Sequence, residues 1–218
     1  MSKDTRYLVL DLATTVLPDA EQWIADDPIE APSNWKDEAK IAEYITQKRQ
    51  ERLDRAALDP DCCRVSCVGA MADGSAGISP CLDEATEAMH LDSVAEWLAN
   101  GFHLITFNGF RFDLPILARR ALYLGVDLSL EWDRYRSPHV DLYERLTHHG
   151  LSSAHSLSWY VKRFGWTDLH KPLTGAEEAR APQEGRWDEL CASVRHDVIA
   201  TARLAEKLRV LPALPILS

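Results

Sequence analysis

The sequence contains no run of 18 or more apolar residues, the length at which a membrane-spanning helix becomes the expected reading, so no membrane partner is expected. Cysteine is scarce. Five occur among 218 residues, at Cys62, Cys63, Cys67, Cys81 and Cys191. An odd number at irregular spacing makes a poor disulfide framework, and no second pair completes a zinc site, so reduced core thiols are expected. Basic residues are in deficit, with 24 Lys and Arg against 34 Asp and Glu and a net charge of −10. Proteins that coat duplexes non-specifically are normally basic, so that class is disfavoured. An enzyme whose carboxylates hold divalent metal is compatible with the same balance. No glycine-rich phosphate loop follows the first apolar run, which counts against a small-molecule binder of the nucleotide-cofactor kind. The start, Met1 to Arg6, lacks the apolar segment of a signal peptide, so a cytoplasmic location is expected.

What is present is an ordinary globular composition, 46% apolar and 27% charged, which fits a single domain over residues 1–218. Residues 6–12 and 62–71 read as buried strands, and the turn at Asp73-Gly74 leads to a short strand ending near Cys81. A polar helix is expected over 36–57, inside an insertion at about 18–60 whose first half, 18–35, reads as irregular. A helix capped by Asp92 is expected to run to Asn100, followed by a strand at 103–107 and a helix at 114–124. His139 to Leu142 reads as a strand end, with helices at 142–148, 155–164 and 186–209. Strands followed by alternating strands and helices indicate an α/β sheet covered on its faces.

Three acidic residues stand at element ends. Asp11 closes the first strand, Asp113 opens the helix after the Asn108-Gly109 turn, and Asp197 lies on the last helix. Ligands of α/β sheets collect beyond the carboxyl ends of strands. Converging carboxylates there would suit the hard cations Mg²⁺ or Mn²⁺. Spacing alone equally allows a helix cap, a strand-end residue and a surface residue.

Three segments add a family resemblance. Tyr7-Leu8-Val9-Leu10-Asp11-Leu12-Ala13-Thr14-Thr15 resembles a motif in which Asp-x-Glu-Thr ends a strand. Phe107-Asn108-Gly109-Phe110-Arg111-Phe112-Asp113 resembles Asn-x-x-x-Phe-Asp, and the helix around Asp197 resembles one carrying Tyr-x-x-x-Asp. His139-Val140-Asp141-Leu142 resembles a segment found between the last two. In this order they resemble the DEDD 3′–5′ exonucleases, in particular phage and bacterial members related to the proofreading domain of family B DNA polymerases. The insertion is similar as well. The resemblance implies a ribonuclease H-like mixed five-stranded sheet flanked by helices, with the helical insertion after strand 1. It also implies two Mg²⁺ or Mn²⁺ ions, removal of nucleotides from single-stranded DNA or RNA 3′ ends, and association with a replication protein. Asp11, Asp113 and Asp197 are the metal ligands it carries over.

Two motif positions depart from the family. The expected Glu is Ala13, two residues after Asp11 and on the same strand face. The expected Tyr, one helical turn before Asp197, is Ser193. Three readings stay open: an impaired nuclease, an active exonuclease disarmed by substitution, and an adaptor that binds nucleic acid or protein in the same groove. Thr14, Asp19 and Asp141 are the candidates to swing toward the gap, although none occupies the position of the motif's Glu. Thr14, Asn108, Phe110, Phe112 and Lys171 are candidates for touching nucleic acid. Arg119 and Arg120 are expected either at phosphate or on the surface. Lys162 and Arg163, with Phe164 and Trp166, read either as a strand path or as a solvated face.

Overall fold

A computed structural model describes residues 6–133 and 135–211; the signal-peptide reading at residues 1–5 lies outside them. The chain forms a five-stranded mixed sheet in the order β3-β2-β1-β4-β5. Its strands are β1 (Arg6–Val16), β2 (Cys63–Ala72), β3 (Ser75–Pro80), β4 (Phe102–Thr106) and β5 (Val140–Asp141). β2 pairs antiparallel with β1 and β3, while β4 runs parallel to both β1 and β5. β1 is central and buried on both faces, which explains its almost continuous apolar sequence.

Eight α-helices accompany the sheet among the described residues: α1 (Ala20–Asp26), α2 (Glu38–Asp54), α3 (Glu84–Ala99), α4 (Asp113–Leu124), α5 (Leu142–Leu146), α6 (Leu157–Arg163), α7 (Gly175–Arg180) and α8 (Trp187–Lys207). Two cores lie on opposite faces. Leu8, Leu10 and Leu12 of β1 pack with α3 and α4 through Leu91, Val94, Leu114 and Leu117. Val9 and Ala13 pack with α8 through Val194, Val198 and Ala202. Alternation along the strand sends odd and even residues to the two layers. α8 lies close to the sheet because β2 offers Gly69; a Cβ there would sit 2.5 Å from Val194 Cγ1.

The expected architecture is present, with four local differences. β1 runs on to Val16 rather than ending at residue 12, because antiparallel pairing with β2 continues past it, so Asp11 stands within the strand instead of closing it. α3 begins at Glu84, not after Asp92, because Asp83 and Thr86 form a reciprocal capping box. Residues 20–26, expected to be irregular, form α1, and α7 is an additional short helix, also opened by a capping box, from Thr174 and Glu177. α2 lies in the expected insertion and has no buried residue, as its charge pattern implies. No described helix is long and apolar enough to cross a membrane. The five cysteines are free thiols, and burial pushes Cys63 and Cys81 up to about 12.

Candidate active site

Parallel pairing of β1 with β4 ends at Val9 and Ile105, so Asp11 stands two residues beyond it, where the sheet opens. Two residues on, register shifts: Ala13 faces Cys67 and Thr14 faces Val65, leaving Ser66 as the extra residue of a bulge. Bulges re-aim strand residues and concentrate near functional sites. After β4 the chain turns sharply through Asn108, at φ 66°, and Gly109, where a Cβ would lie 1.9 Å from Thr106 Oγ1. Asp141 holds this turn from β5. Its Oδ1 accepts from the backbone N–H of Asn108 at 2.8 Å, and its Oδ2 from that of Phe110 at 3.1 Å. The turn delivers Asp113 to the start of α4, where Asp113 Oδ1 accepts from the backbone N–H of Leu12 at 3.2 Å. Asp113 is thereby buried against β1 beside Asp11.

Asp197 enters from α8, and Ser193 lies one turn before it, fully buried. His196 Nδ1 stands 2.9 Å from Asp197 Oδ1, and Lys171 forms an ion pair with Asp197 Oδ2. Lys171 also reaches Glu178 of α7, Nζ to Oε1, at 2.9 Å, and Ser193 Oγ donates to the same Glu178 oxygen at 2.6 Å. Burial raises the carboxyl of Asp11 well above its ordinary range, and the negative charges of Asp197, Asp113 and Glu178 raise it further against the pull of Lys171. Asp113 is pushed up to about 7, first by burial. Burial works against the Lys171 ammonium, but Asp197 and Glu178 outweigh it and hold it above the usual lysine range.

The structure thus gathers Asp11, Asp113, Asp197 and Lys171 around one crevice, with Ala13 and Ser193 buried nearby on β1 and α8. Glu178 joins them and was not among the sequence candidates; the Thr174-x-x-Glu177 capping pattern could have signalled its helix, but nothing local signals its direction. Other candidates lie elsewhere. Thr14 is buried and donates to the carbonyl of Ala57 at 2.5 Å, on the side of the insertion. Asp19 accepts from Trp23 Nε1 within α1's first turn, and Asp141 serves the turn, so neither fills the place of the missing carboxylate. Phe110 stacks edge-on against His139, and both Phe110 and Phe112 pack on the α3–α4 core. Arg120 is buried in a two-bond pair with Glu87 rather than on the surface or at phosphate. Lys162 and Arg163 are exposed. A cleft of about 740 Å³ adjoins the carboxylates, lined in part by Lys162, Trp166, His170, Lys171 and His196.

The donors are all hard oxygens, four carboxyl groups beside one ammonium, and their mutual repulsion helps raise Asp11 and Asp113. That chemistry fits divalent cations. Among the described residues no three acidic, histidine or cysteine side chains stand at ion-holding spacing, and the Lys171 ammonium lies between Glu178 and Asp197.

A family model described as RNase H superfamily matches residues 58–209, from the end of the insertion to two residues past α8. The chain belongs to the RNase H superfamily. None of the curated proteins compared is similar enough to match. Among solved structures, the RNase H-like chain resembles the family B DNA polymerase of the hyperthermophilic archaeon Pyrobaculum calidifontis, with a TM-score of 0.58 and 18% identity. The likeness covers 96% of this chain and 25% of the polymerase, so the RNase H-like chain spans about a quarter of that relative's length. At this identity the likeness is one of fold.

Proposed function

We propose that the protein is a divalent-metal-dependent 3′–5′ exonuclease that takes single-stranded DNA ends. The observation that carries this is the convergence of Asp11, Asp113 and Asp197 from β1, α4 and α8 on one crevice, where burial first, and then the charges of Asp197 and Asp113, raise the Asp11 carboxyl well above its ordinary range. Asp11, Asp113 and Asp197 would hold Mg²⁺ or Mn²⁺. Bound there, two such ions supply an activated water and stabilisation of the leaving oxygen for in-line phosphodiester cleavage. The chain's own groups do the positioning. His196 orients Asp197, the Asp141 clamp sets the turn that presents Asp113, and Lys171 offers a cation to a phosphate in the adjoining cleft.

A second reading, a binding groove without turnover, is favoured by one observation: Ser193 carries no aromatic hydroxyl to position water, and its own hydroxyl is spent on Glu178. Digestion of a labelled single-stranded oligonucleotide with Mg²⁺ and with Mn²⁺ separates the two. Metal-dependent shortening from the 3′ end, abolished by Asp113→Asn, is the expected outcome. Binding without shortening, persisting in the Ala13→Glu/Ser193→Tyr variant, favours the groove and sinks the exonuclease.

A further inference from the structure

The two motif departures open onto the same element, α7. Ala13 shares its core with Ala181, which ends α7 and is fully buried. Thr15, on the same strand, donates Oγ1 to the carbonyl of Ala179 at 2.7 Å, so α7 is docked directly on β1. Ser193 is short enough to leave room between α8 and α7, and Glu178 occupies that room at 2.6 Å from its hydroxyl. A tyrosine at 193 would have to displace the carboxylate that now lies against it. One positive charge, the Lys171 ammonium, touches both Glu178 Oε1 and Asp197 Oδ2. A cation of that charge therefore already has a place between a carboxylate of α7 and one of α8.

We propose that Glu178 is the missing fourth carboxylate of this site, delivered from α7 in place of the one lost at Ala13, and that Lys171 is the internal counter-ion a divalent cation displaces. The proposal rests on the exonuclease reading, since it completes the same metal site. Glu178 meets the chemical requirement, a hard oxygen donor beside Asp197, and reaches it over a different path in the chain. Ser193 then holds a ligand where the family pattern puts a tyrosine. Lys171 suits the second role because its ammonium sits on a flexible four-carbon stem that can swing into the adjoining cleft without moving the backbone.

Manganese binding to the full chain, measured by calorimetry and by the loss of free Mn²⁺ spin-resonance signal, tests this without substrate or turnover. The wild-type chain is expected to bind Mn²⁺, and Asp197→Asn to lose it. Glu178→Gln keeps the shape and the acceptor for Ser193. It is expected to weaken binding by at least the roughly tenfold to hundredfold that removing even an outer partner of a metal ligand costs. Ala13→Glu/Glu178→Gln is expected to regain affinity, and Lys171→Met to tighten it. If Glu178→Gln binds as the wild type does while Asp197→Asn fails, Glu178 is no ligand and the exonuclease reading survives. If neither the wild type nor Lys171→Met binds Mn²⁺ at millimolar concentration, the metal site itself fails and Glu178 with it.

Discussion

Arg120 offers the most direct test of how α3 and α4 are tied to each other and to the sheet. It leaves α4 and forms two parallel bonds to Glu87 of α3, Nε to Oε1 at 2.8 Å and Nη2 to Oε2 at 2.9 Å. Glu87 Oε1 also accepts from the backbone N–H of Val65 in β2 at 2.8 Å, so one buried carboxylate ties two helices and a strand. Both side chains are almost wholly removed from solvent, at 3% and 0% exposure. Replacing Arg120 with Met leaves a buried negative charge without its partner, a loss of about 3–5 kcal/mol. For a domain of this size each kcal/mol lowers Tm by about 2–4 °C, so a fall on the order of 10 °C is predicted. Urea unfolding followed by circular dichroism gives the free energy directly. The companion variant Glu87→Gln/Arg120→Met removes the stranded charge while keeping an acceptor for Val65, and is predicted to recover at least about 1 kcal/mol over the single change. An Arg120→Met loss below about 1 kcal/mol, or a double variant worse than the single, would refute the buried-pair account.

Two further predictions concern the sheet and the site. Gly69→Ala places a methyl against Val194 and Val198 of α8, and a loss of about 1–3 kcal/mol is predicted from overpacking, read as a lower urea midpoint at unchanged slope; an unchanged midpoint means that α8 has room to spare. In metal-free buffer, stability is predicted to fall as pH rises from about 4 to about 7. Asp113 is raised in the folded chain from 3.8 to about 7, so the folded state keeps a proton that the unfolded chain has already released, and that advantage is lost through this window at up to about 1.4 kcal/mol per unit. Asp113→Asn should flatten the slope; a variant as steep as the wild type assigns the titration elsewhere.

Elements whose signals are local were legible in the sequence. β1, β2 and β4 are apolar runs bounded by turns, and the Asn108-Gly109 pair marked the turn before Asp113. Asp11, Asp113 and Asp197 could be picked out because each sits in a recognisable pattern, although Asp11 was read as closing a strand that in fact runs on to Val16. α3 was read nine residues late because Asp92 looks like a cap, whereas the reciprocal pair of Asp83 and Thr86 is the one that forms. Arg120 looked like any exposed helix cation, since its partner lies 33 residues away on another helix. Glu178 was hidden for the same reason. Its helix is too short to show an apolar period, and its contacts with Ser193 and Lys171 are made only once α7 docks on β1.

The strand β5 is two residues long and ends the sheet, yet its Asp141 gathers the backbone of Asn108 and Phe110 as well as that of Tyr143. One carboxylate thus makes the margin of the sheet and the approach to Asp113 a single mechanical unit. A partner that added a strand beside Val140, or a mutation that frayed it, would be felt at the crevice without touching any residue that lines it.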